Sequence, residues 1–372
     1  MNEDKATRYQ RLKRRAAVVS LGWAAAVFVV MLATGSTIGL RAAADSWAWS
    51  APPRLAPSLS VFIYVMGLSL ITELAGLPLA FYTGFLLERR YGLSNERLSA
   101  WLKDQAKSFA ISIVLGGGAA VLIYALIRRF PSGWWLPAGA LFALIISVLA
   151  NLAPVVLLPI FYRVTPLERA DLRARLLALA EKAGARVLGA YEWGLGEKTR
   201  KANAALAGLG GTRRILVSDT MLAEYSDDEI EIVLAHELAH HVHGDIWKGL
   251  LFESGLVLAG FYAAARVLEW AAPLVGLSGP ADPAGLPMLL LTAGAVSLVM
   301  QPAAHAMSRS NERNADRFAL EITKNPGAFI SAMRRLGAQN LAEEDPSKVT
   351  EWLFYSHPPM RERIAAAEAF KA

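Results

Sequence analysis

Long apolar stretches separated by polar segments dominate the hydrophobic pattern of the chain. Six of them reach the roughly 20 residues that an α-helix needs to cross a bilayer. Their approximate bounds are 16–40, 59–87, 109–127, 134–159, 249–270 and 286–307. A long mixed segment, 160–248, follows the fourth stretch, and a polar tail, 308–372, follows the sixth. The pattern predicts an α-helical multi-span membrane protein with a small additional domain.

These stretches divide the chain into four parts. Residues 1–159 are predicted to form an amino-terminal membrane domain with four spans, and residues 249–307 to add two more. Residues 160–248 and 308–372 hold roughly 150 residues together, enough for one modest domain built from two parts of the chain. A secretory signal peptide is an alternative for the first stretch. That stretch is longer than the usual signal core of about 7–15 residues, so a retained span is favoured.

The distribution of charge orients the spans. The formal net charge is +6, and residues 1–15 and 88–108 carry all of this excess. The connection 271–285, by contrast, has no Lys or Arg. Because Lys and Arg accumulate in cytoplasmic connections, both termini and both parts of the additional domain are predicted to be cytoplasmic. With the excess charge explained in this way, no nucleic-acid partner is expected.

Composition narrows the chemistry further. Apolar residues make up 54% of the chain and charged residues 19%, against about 45–50% and about 25% in soluble domains. The chain has no cysteine, which excludes disulfides, cysteine zinc clusters and a thiol nucleophile. Glu73 lies near the middle of the second stretch. It is interpreted either as a carboxylate that pairs within the bundle or as a functional group.

Four of the six histidines cluster in one eight-residue segment. Upstream, Ser226 and Glu229 have the spacing of a capping box and predict the start of a helix. On that helix His236 and His240 are four residues apart and share a face, with Glu237 beside them. This is the HExxH arrangement, in which two histidines bind zinc and the glutamate acts on a water. The alternative is a surface helix with clustered polar residues.

A catalytic zinc takes three protein ligands, and no third histidine follows at the short spacing known for some HExxH enzymes. Glu312 and Asp316 are four residues apart and share a helical face. We expect Glu312 to be the third ligand and Asp316 to accept a hydrogen bond from a zinc histidine. The alternative is a charged helix end, in which these carboxylates pair with Arg309, Arg313 and Arg317.

The remaining histidines give weaker predictions. His241 and His243 point away from the ligand face and are predicted to face solvent or to be structural. His305 is predicted to be a buried hydrogen-bonding residue. His357 stands before two prolines at the head of the final predicted helix. It either donates to the oxyanion of a tetrahedral intermediate or caps that helix.

These motifs resemble the integral-membrane CAAX prenyl endopeptidases, which are zinc metalloproteases with HExxH and a distant glutamate ligand. The resemblance covers nearly the whole chain, in the order of the family. The similar segments are 91–94, 101–107, 159–168, 203–204, 214–217, 308–309, 315–316 and 357–359, together with Gly208, Gly210, Glu312 and Arg363.

The resemblance implies a small α+β zincin-like metalloprotease domain. It implies one zinc ion bound by His236, His240 and Glu312, with Glu237 as catalytic base. The substrate would be a peptide or protein, membrane-associated or lipidated, that pairs in extended form with the strand at Asn203. Asn203, His357 and Arg363 are then candidates for binding the substrate or the transition state. Asn203 could instead stabilise a turn through its own backbone.

Two features leave alternatives open. Members of the family have more membrane helices than the six predicted here, so either a short or broken helix is hidden or the membrane chamber is smaller. Asp245 after the histidines is closer to the heat-shock membrane metalloproteases of bacteria. A quality-control protease of the bacterial inner membrane is therefore an alternative to a CAAX-type protease. A transporter or inactive scaffold is the alternative from another class, and the intact Glu237 argues against it.

Overall fold

The computed structural model describes residues 4–208 and 213–371 of the chain, so Gly210 lies outside the described residues. The helices are α1 Lys5–Ala33, α2 Ser36–Ala48, α3 Ala56–Phe81, α4 Leu87–Arg90, α5 Leu98–Arg129, α6 Trp135–Val156, α7 Leu158–Phe161, α8 Ala170–Lys182, α9 Asp219–Glu224, α10 Asp227–Val242, α11 Asp245–Ala271, α12 Leu286–Thr323, α13 Pro326–Gln339, α14 Lys348–Phe354 and α15 Met360–Glu368. The strands are β1 Val164–Pro166, β2 Ala190–Trp193, β3 Ala204–Ala207 and β4 Arg214–Ser218.

Six helical segments in the described part of the chain are long and apolar enough to cross a membrane. They are α1, α3 continuing through a π-helical turn into α4, α5, α6, α11 and α12. Each corresponds to one of the apolar stretches in the sequence. The predicted fold class, a multi-span α-helical membrane protein with a small α+β domain, is confirmed.

The first apolar stretch is not one helix. Helix α1 ends at Ala33, Gly35 adopts a left-handed conformation with φ of 70°, and α2 begins at Ser36. The 13 residues of α2 rise about 20 Å, too little to cross a hydrocarbon core of about 30 Å. Much of the predicted connection between the first two spans is therefore a short helix. Hydropathy misses the break because apolar residues continue on both sides of Gly35.

The sixth span extends well beyond its apolar part. Helix α12 runs without interruption through 38 residues, about 57 Å, so residues 308–316 continue the span rather than form a separate helix. Helix α5 likewise begins at Leu98, inside the predicted connection 88–108. Because α12 continues beyond its apolar part, Glu312 lies on the same continuous helix as the last membrane span.

A four-stranded sheet forms one layer of the additional domain. The strand order is β1-β2-β4-β3, with β2 and β4 parallel and the other pairs antiparallel. The helices α8, α10 and α13 pack with it around one core. Buried residues of this core include Leu172, Leu176, Ile215, Val217, Ile230, Leu234 and Phe329. In this order β3 is an edge strand, and it packs beside α10.

The start of α1 lies at the same end of the helix bundle as this domain. Gln10 Nε2 donates to the carbonyl of Leu341 at 2.8 Å. Lys201 Nζ lies 2.7 Å from Glu88 Oε2 at the end of the second span. The start of α1, the end of the second span and both parts of the additional domain therefore lie at the same end of the helix bundle.

Glu73 is half-buried in α3. Across the part of the chain that the structure describes, its side chain has no hydrogen bond and no ion pair. The interpretation of Glu73 as a carboxylate that pairs within the bundle therefore finds no partner here.

Candidate metal centre

Helix α10 carries the HExxH residues through the middle of the domain. Its start is fixed by the predicted capping box, since Ser226 accepts from the Glu229 amide and the Glu229 side chain accepts from the Ser226 amide. Asp227 and Asp228 also lie in the first turn, where negative charge suits the helix dipole. Apolar side chains of α10 are buried along the faces that meet the sheet, α12 and α13. This packing fixes the direction in which His236 and His240 point.

The structure brings three predicted ligands together. His236 Nε2 lies 3.2 Å from Glu312 Oε2, and His240 Nε2 lies 3.4 Å from Glu312 Oε1. Ligand atoms of all three residues lie within 4.8 Å of one another. His236 and Glu312 are buried, so these groups converge in a shielded place. The three residues form a group that could bind a metal ion.

The spacing of these atoms fits zinc. Tetrahedral zinc with bonds of about 2.0–2.1 Å places neighbouring ligand atoms about 3.3 Å apart, close to the two distances measured here. Glu312 Oε2 is buried and has no hydrogen-bond partner among the described residues. A buried carboxylate oxygen without a partner is costly, and coordination to a cation would satisfy it. Two imidazoles and one carboxylate are also a known ligand set of catalytic zinc.

Each histidine is oriented by a second carboxylate. Asp316 Oδ1 lies 2.9 Å from His236 Nδ1, and Asp245 Oδ2 lies 2.9 Å from His240 Nδ1. An Nδ1–H that donates to a carboxylate leaves Nε2 as the metal-binding nitrogen. In both rings Nε2 is the nitrogen that faces Glu312. The outer carboxylates thus set the ring orientation that a metal requires.

Arg363 lies behind Asp316. Its Nε and Nη2 donate to the two oxygens of Asp316 at 2.8 and 2.6 Å, and both side chains are buried. Nη2 is also 3.4 Å from His236 Nδ1. A guanidinium that donates to both oxygens of a carboxylate fixes the orientation of the carboxylate and stabilises its negative charge. The structure therefore places Arg363 where it supports Asp316 and lies beside His236.

Asp245 is a residue of the site that sequence reasoning missed. From the sequence, Asp245 indicates only a likeness to the heat-shock membrane metalloproteases of bacteria. Gly244 takes a left-handed conformation with φ of 64° and turns the chain from α10 into α11, which brings Asp245 back onto His240. An acidic residue directly after a glycine, five residues beyond the second histidine, was the available signal.

Glu237 is half-buried next to the ligands. Within residues 4–208 and 213–371 its carboxylate has no hydrogen-bond partner, which leaves it available to a water or a substrate. Burial raises the pKa of Glu237, and the nearby positive charge of His236 and His240 opposes that rise. A carboxyl with a raised pKa is better matched to proton transfer near neutral pH.

The histidines hold protons strongly when no metal is present. Burial by itself would lower the pKa of His236, but the neighbouring carboxylates of Asp316 and Glu312 outweigh burial and raise the pKa to about 9. Burial also opposes protonation of His240, and the bond to Glu312 raises its pKa nonetheless. A metal must therefore displace protons from this site.

His357 lies at the open side of the ligand group. Its side chain is 58% exposed, and Nε2 lies 3.4 Å from Glu312 Oε1. The final helix α15 begins after Pro359, and no side chain caps it in the described structure. The alternative in which His357 caps this helix is therefore wrong.

Asn203 directly precedes the edge strand β3. Its amide donates to Ser218 Oγ at 3.0 Å, and its carbonyl accepts from the Ser218 amide at 2.9 Å. The Asn203 side chain is exposed, and no hydrogen bond to it occurs among the described residues. A turn stabilised by this side chain would require such a bond.

The other histidines lie away from the ligand group. The His243 ring meets the Phe318 ring edge-on at a centroid distance of 5.7 Å. His241 is half-buried. His305 is half-buried rather than fully buried. Its Nδ1 has no hydrogen-bond partner among the described residues, but the ring hydrogen-bonds to the backbone of Trp352 and Leu353, as expected of a hydrogen-bonding residue.

Comparisons with known proteins cover the whole chain. Residues 166–371 match peptidase family M48, and residues 2–163 match the family described as "CAAX prenyl protease N-terminal, five membrane helices". Within residues 4–163, the described part of this second match, the structure has four candidate spans and the short helix α2.

Individual relatives agree with these matches. The chain is 32% identical over 354 residues to the uncharacterized metalloprotease YhfN of Bacillus subtilis, covering 94% of this chain and 81% of that protein. It is 25% identical over 323 residues to CAAX prenyl protease 1 of Saccharomyces cerevisiae, covering 81% of this chain and 70% of that protein. The crystal structure of S. mikatae Ste24p aligns with a TM-score of 0.85 at 24% identity, covering 98% of this chain and 88% of that one. The fold is therefore the same.

Proposed function

The chain belongs to peptidase family M48, and we propose that this membrane metalloprotease is a zinc endopeptidase that cleaves membrane-associated or lipidated proteins. The observation that carries the proposal is the ligand group of His236, His240 and Glu312, with Glu237 beside it. Relatives named CAAX prenyl protease 1, from yeast and human among others, support a lipidated substrate.

His236, His240 and Glu312 would hold the zinc ion, and the fourth position would stay open to water or substrate. When bound, zinc polarises the scissile carbonyl and makes the neighbouring water more acidic. Asp316 and Asp245 keep the two imidazoles oriented through Nδ1. Arg363 holds Asp316 in turn and does not touch the substrate in this proposal.

Glu237 acts as the general base. Its free carboxylate accepts a proton from the attacking water and later gives that proton to the leaving amine. His357 Nε2, at the open side, donates a hydrogen bond to the carbonyl oxygen as negative charge develops on it. The position of both side chains beside the ligands supports these proposed roles.

The edge strand β3 would bind the substrate in extended form. Backbone pairing along an edge strand needs no particular side chains in the substrate. The exposed side-chain amide of Asn203, just before β3, would hydrogen-bond the substrate backbone. Specificity would then come from the apolar surroundings or from the size of the opening.

The arrangement in the membrane is part of the proposal. The basic amino-terminal segment and the connection 88–108 favour a cytoplasmic location for both termini and for the protease domain. We assign the protein to the bacterial inner (plasma) membrane, because it has six candidate spans and is similar to a bacterial protein. Residues 1–159 and 249–307 would form the membrane domain, and residues 160–248 and 308–372 the two parts of the protease domain.

The test is metal analysis and a peptidase assay on the purified full-length chain. The substrates are an internally quenched peptide with a farnesylated carboxy-terminal cysteine motif and the same peptide without the lipid. We expect one zinc per chain and cleavage of the farnesylated peptide. Glu237→Gln should keep its zinc and lose at least about 10²-fold in turnover. A zinc-replete Glu237→Gln protein with near-wild-type turnover would refute the mechanism.

A quality-control protease is the second candidate. It is favoured by the edge strand β3, because backbone pairing does not select for a lipidated motif. Equal turnover of the two peptides would support this candidate, whereas a clear preference for the farnesylated peptide would support the first.

A further inference from the structure

The first turns of α1 make polar contacts with the segment that leads to His357. Arg14 Nη1 donates to the Tyr355 hydroxyl at 2.6 Å and also pairs with Glu343. The Tyr355 hydroxyl donates to the same oxygen of Glu343 at 2.7 Å. Arg14, Glu343 and Tyr355 therefore form a closed triangle, which we call the Arg14 triangle.

The Arg14 triangle is shielded from solvent. The exposed fraction of the side chain is 20% for Arg14 and 9% for Glu343. Charge-assisted hydrogen bonds in such surroundings are stronger than exposed ion pairs, which are screened by water and salt. The next residue, Arg15, is exposed, and no hydrogen bond or ion pair to it occurs in the described part of the chain. Of these two adjacent arginines, only Arg14 makes polar side-chain contacts within the described structure.

His357 depends on its neighbours in the chain for its position. Its side chain is largely exposed, and its Nδ1 lies 2.9 Å from Oγ of the preceding residue, Ser356. Tyr355, two residues earlier, is held at both ends. Its carbonyl accepts from Arg309 Nη1 at 2.7 Å, and its hydroxyl belongs to the Arg14 triangle. After His357 two prolines restrict the backbone.

The two arginines come from different parts of the fold. Arg309 lies on α12, one turn before the ligand Glu312, so it ties Tyr355 to the helix that carries the ligand. Arg14 lies on the first membrane span and ties the same tyrosine to the amino-terminal end of the bundle. Together they fix the segment at residue 355 relative to the ligand group.

We propose that Arg14 is a positioning residue that acts on His357 through Tyr355. The proposal rests on the proposed function, in which His357 donates to the substrate carbonyl. A hydrogen-bond donor works only when it is placed where charge develops, and a shift of about 1 Å can cost roughly 10²-fold in rate. The basic residues at the amino terminus thus do more than orient the first span.

The experiment compares Arg14→Gln with Arg15→Gln, the matched loss of an exposed charge on the next residue. Tyr355→Phe, which removes only the hydroxyl, serves as a second variant if Arg14→Gln does not fold. Turnover, KM and zinc content are measured with the internally quenched farnesylated peptide. Each variant is also combined with His357→Ala.

We expect Arg14→Gln and Tyr355→Phe to lower kcat about 10- to 100-fold, with zinc content unchanged and KM within about twofold. Arg15→Gln should match the wild type. In the His357→Ala background, Arg14→Gln should cause no further loss, because the residue through which it acts is already gone. A merely structural role would instead lower activity by the same factor in both backgrounds.

Three results would overturn the proposal. The first is wild-type kcat for both Arg14→Gln and Tyr355→Phe, which would leave the proposed function intact as long as Glu237→Gln is inactive. The second is additive loss with His357→Ala. The third is absence of peptide cleavage by the zinc-loaded wild type, which would overturn the proposed function together with the positioning role.

Discussion

Replacing Asp245 by asparagine should weaken zinc binding without removing a ligand. Asp245 Oδ2 lies 2.9 Å from His240 Nδ1, and Asp245 is buried at the start of α11. Asparagine keeps the shape and one acceptor oxygen but loses the negative charge. The His240 ring would keep a hydrogen bond of the neutral kind, which is roughly half as strong as the charge-assisted one.

The expected size follows from that difference. Hydrogen bonds to charged groups contribute about 1.5–3 kcal/mol, so losing about half of one costs roughly 0.8 to 1.5 kcal/mol. That corresponds to about 4- to 12-fold in zinc affinity, which reaches the lower end of the 10–100-fold typical for partners of metal-binding histidines. The pair of Asp245 with Lys248, at 2.8 Å, is lost as well. That loss affects the forms with and without metal alike, so it changes stability rather than zinc affinity.

The assay is competition for zinc between the purified protein and a chromophoric chelator. Asp228→Asn is the matched control, because Asp228 is an acidic residue that is 55% exposed in the first turn of α10. The control should bind zinc as the wild type does. Equal zinc affinity for Asp245→Asn and wild type would refute the reasoning that Asp245 orients His240.

Four further predictions follow from the site and its setting. Glu312→Ala should lose zinc, and a variant that keeps full zinc and full activity would contradict its assignment as a ligand. Asn203→Ala should lower cleavage of all peptides by a similar factor with zinc content and cleavage position unchanged, whereas loss of thermal stability alone would exclude substrate binding. A cysteine introduced near Lys348 should react with an impermeant thiol reagent only after the cytoplasmic side is opened, and labelling in intact cells would reverse the proposed topology. Because the pKa of His236 is raised to about 9, zinc should displace a proton below that pH, so its affinity should rise about tenfold per pH unit for each proton released. Calorimetry at pH 7 in buffers of different ionisation enthalpy should show this proton release. If no proton is released, His236 is not protonated in the metal-free protein.

The membrane part could be predicted wherever one physical requirement dominates. A span must offer about 20 apolar residues, and this condition is visible in the sequence alone. The hydropathy criterion does not detect a turn within an apolar stretch, so it could not predict the break at Gly35 or the helix α2. Nor does hydropathy detect a helix that continues past its apolar part, as α12 does beyond residue 307.

The ligand group could be predicted because its spacing is local. His236 and His240 lie one turn apart on one helix, and Glu312 and Asp316 repeat that spacing on another. Their meeting needed only the inference that zinc takes a third ligand. The candidate metal site is therefore encoded mostly in two short helical segments, each recognisable without the rest of the fold.

The supporting residues could not be predicted because each depends on the path of the chain. Asp245 meets His240 only because Gly244 adopts a left-handed turn. Arg363 reaches Asp316 from 47 residues away, and Arg14 reaches Tyr355 from 341 residues away. The resemblance offered Arg363 as a candidate for binding the substrate or the transition state, and the charge pattern assigned the amino-terminal basic residues to orientation in the membrane. The fold gives Arg363 a contact with Asp316 and gives Arg14 a contact with Tyr355, two residues before His357. A buried carboxylate and an exposed histidine both take partners from distant parts of the chain, which the spacing within one segment cannot reveal.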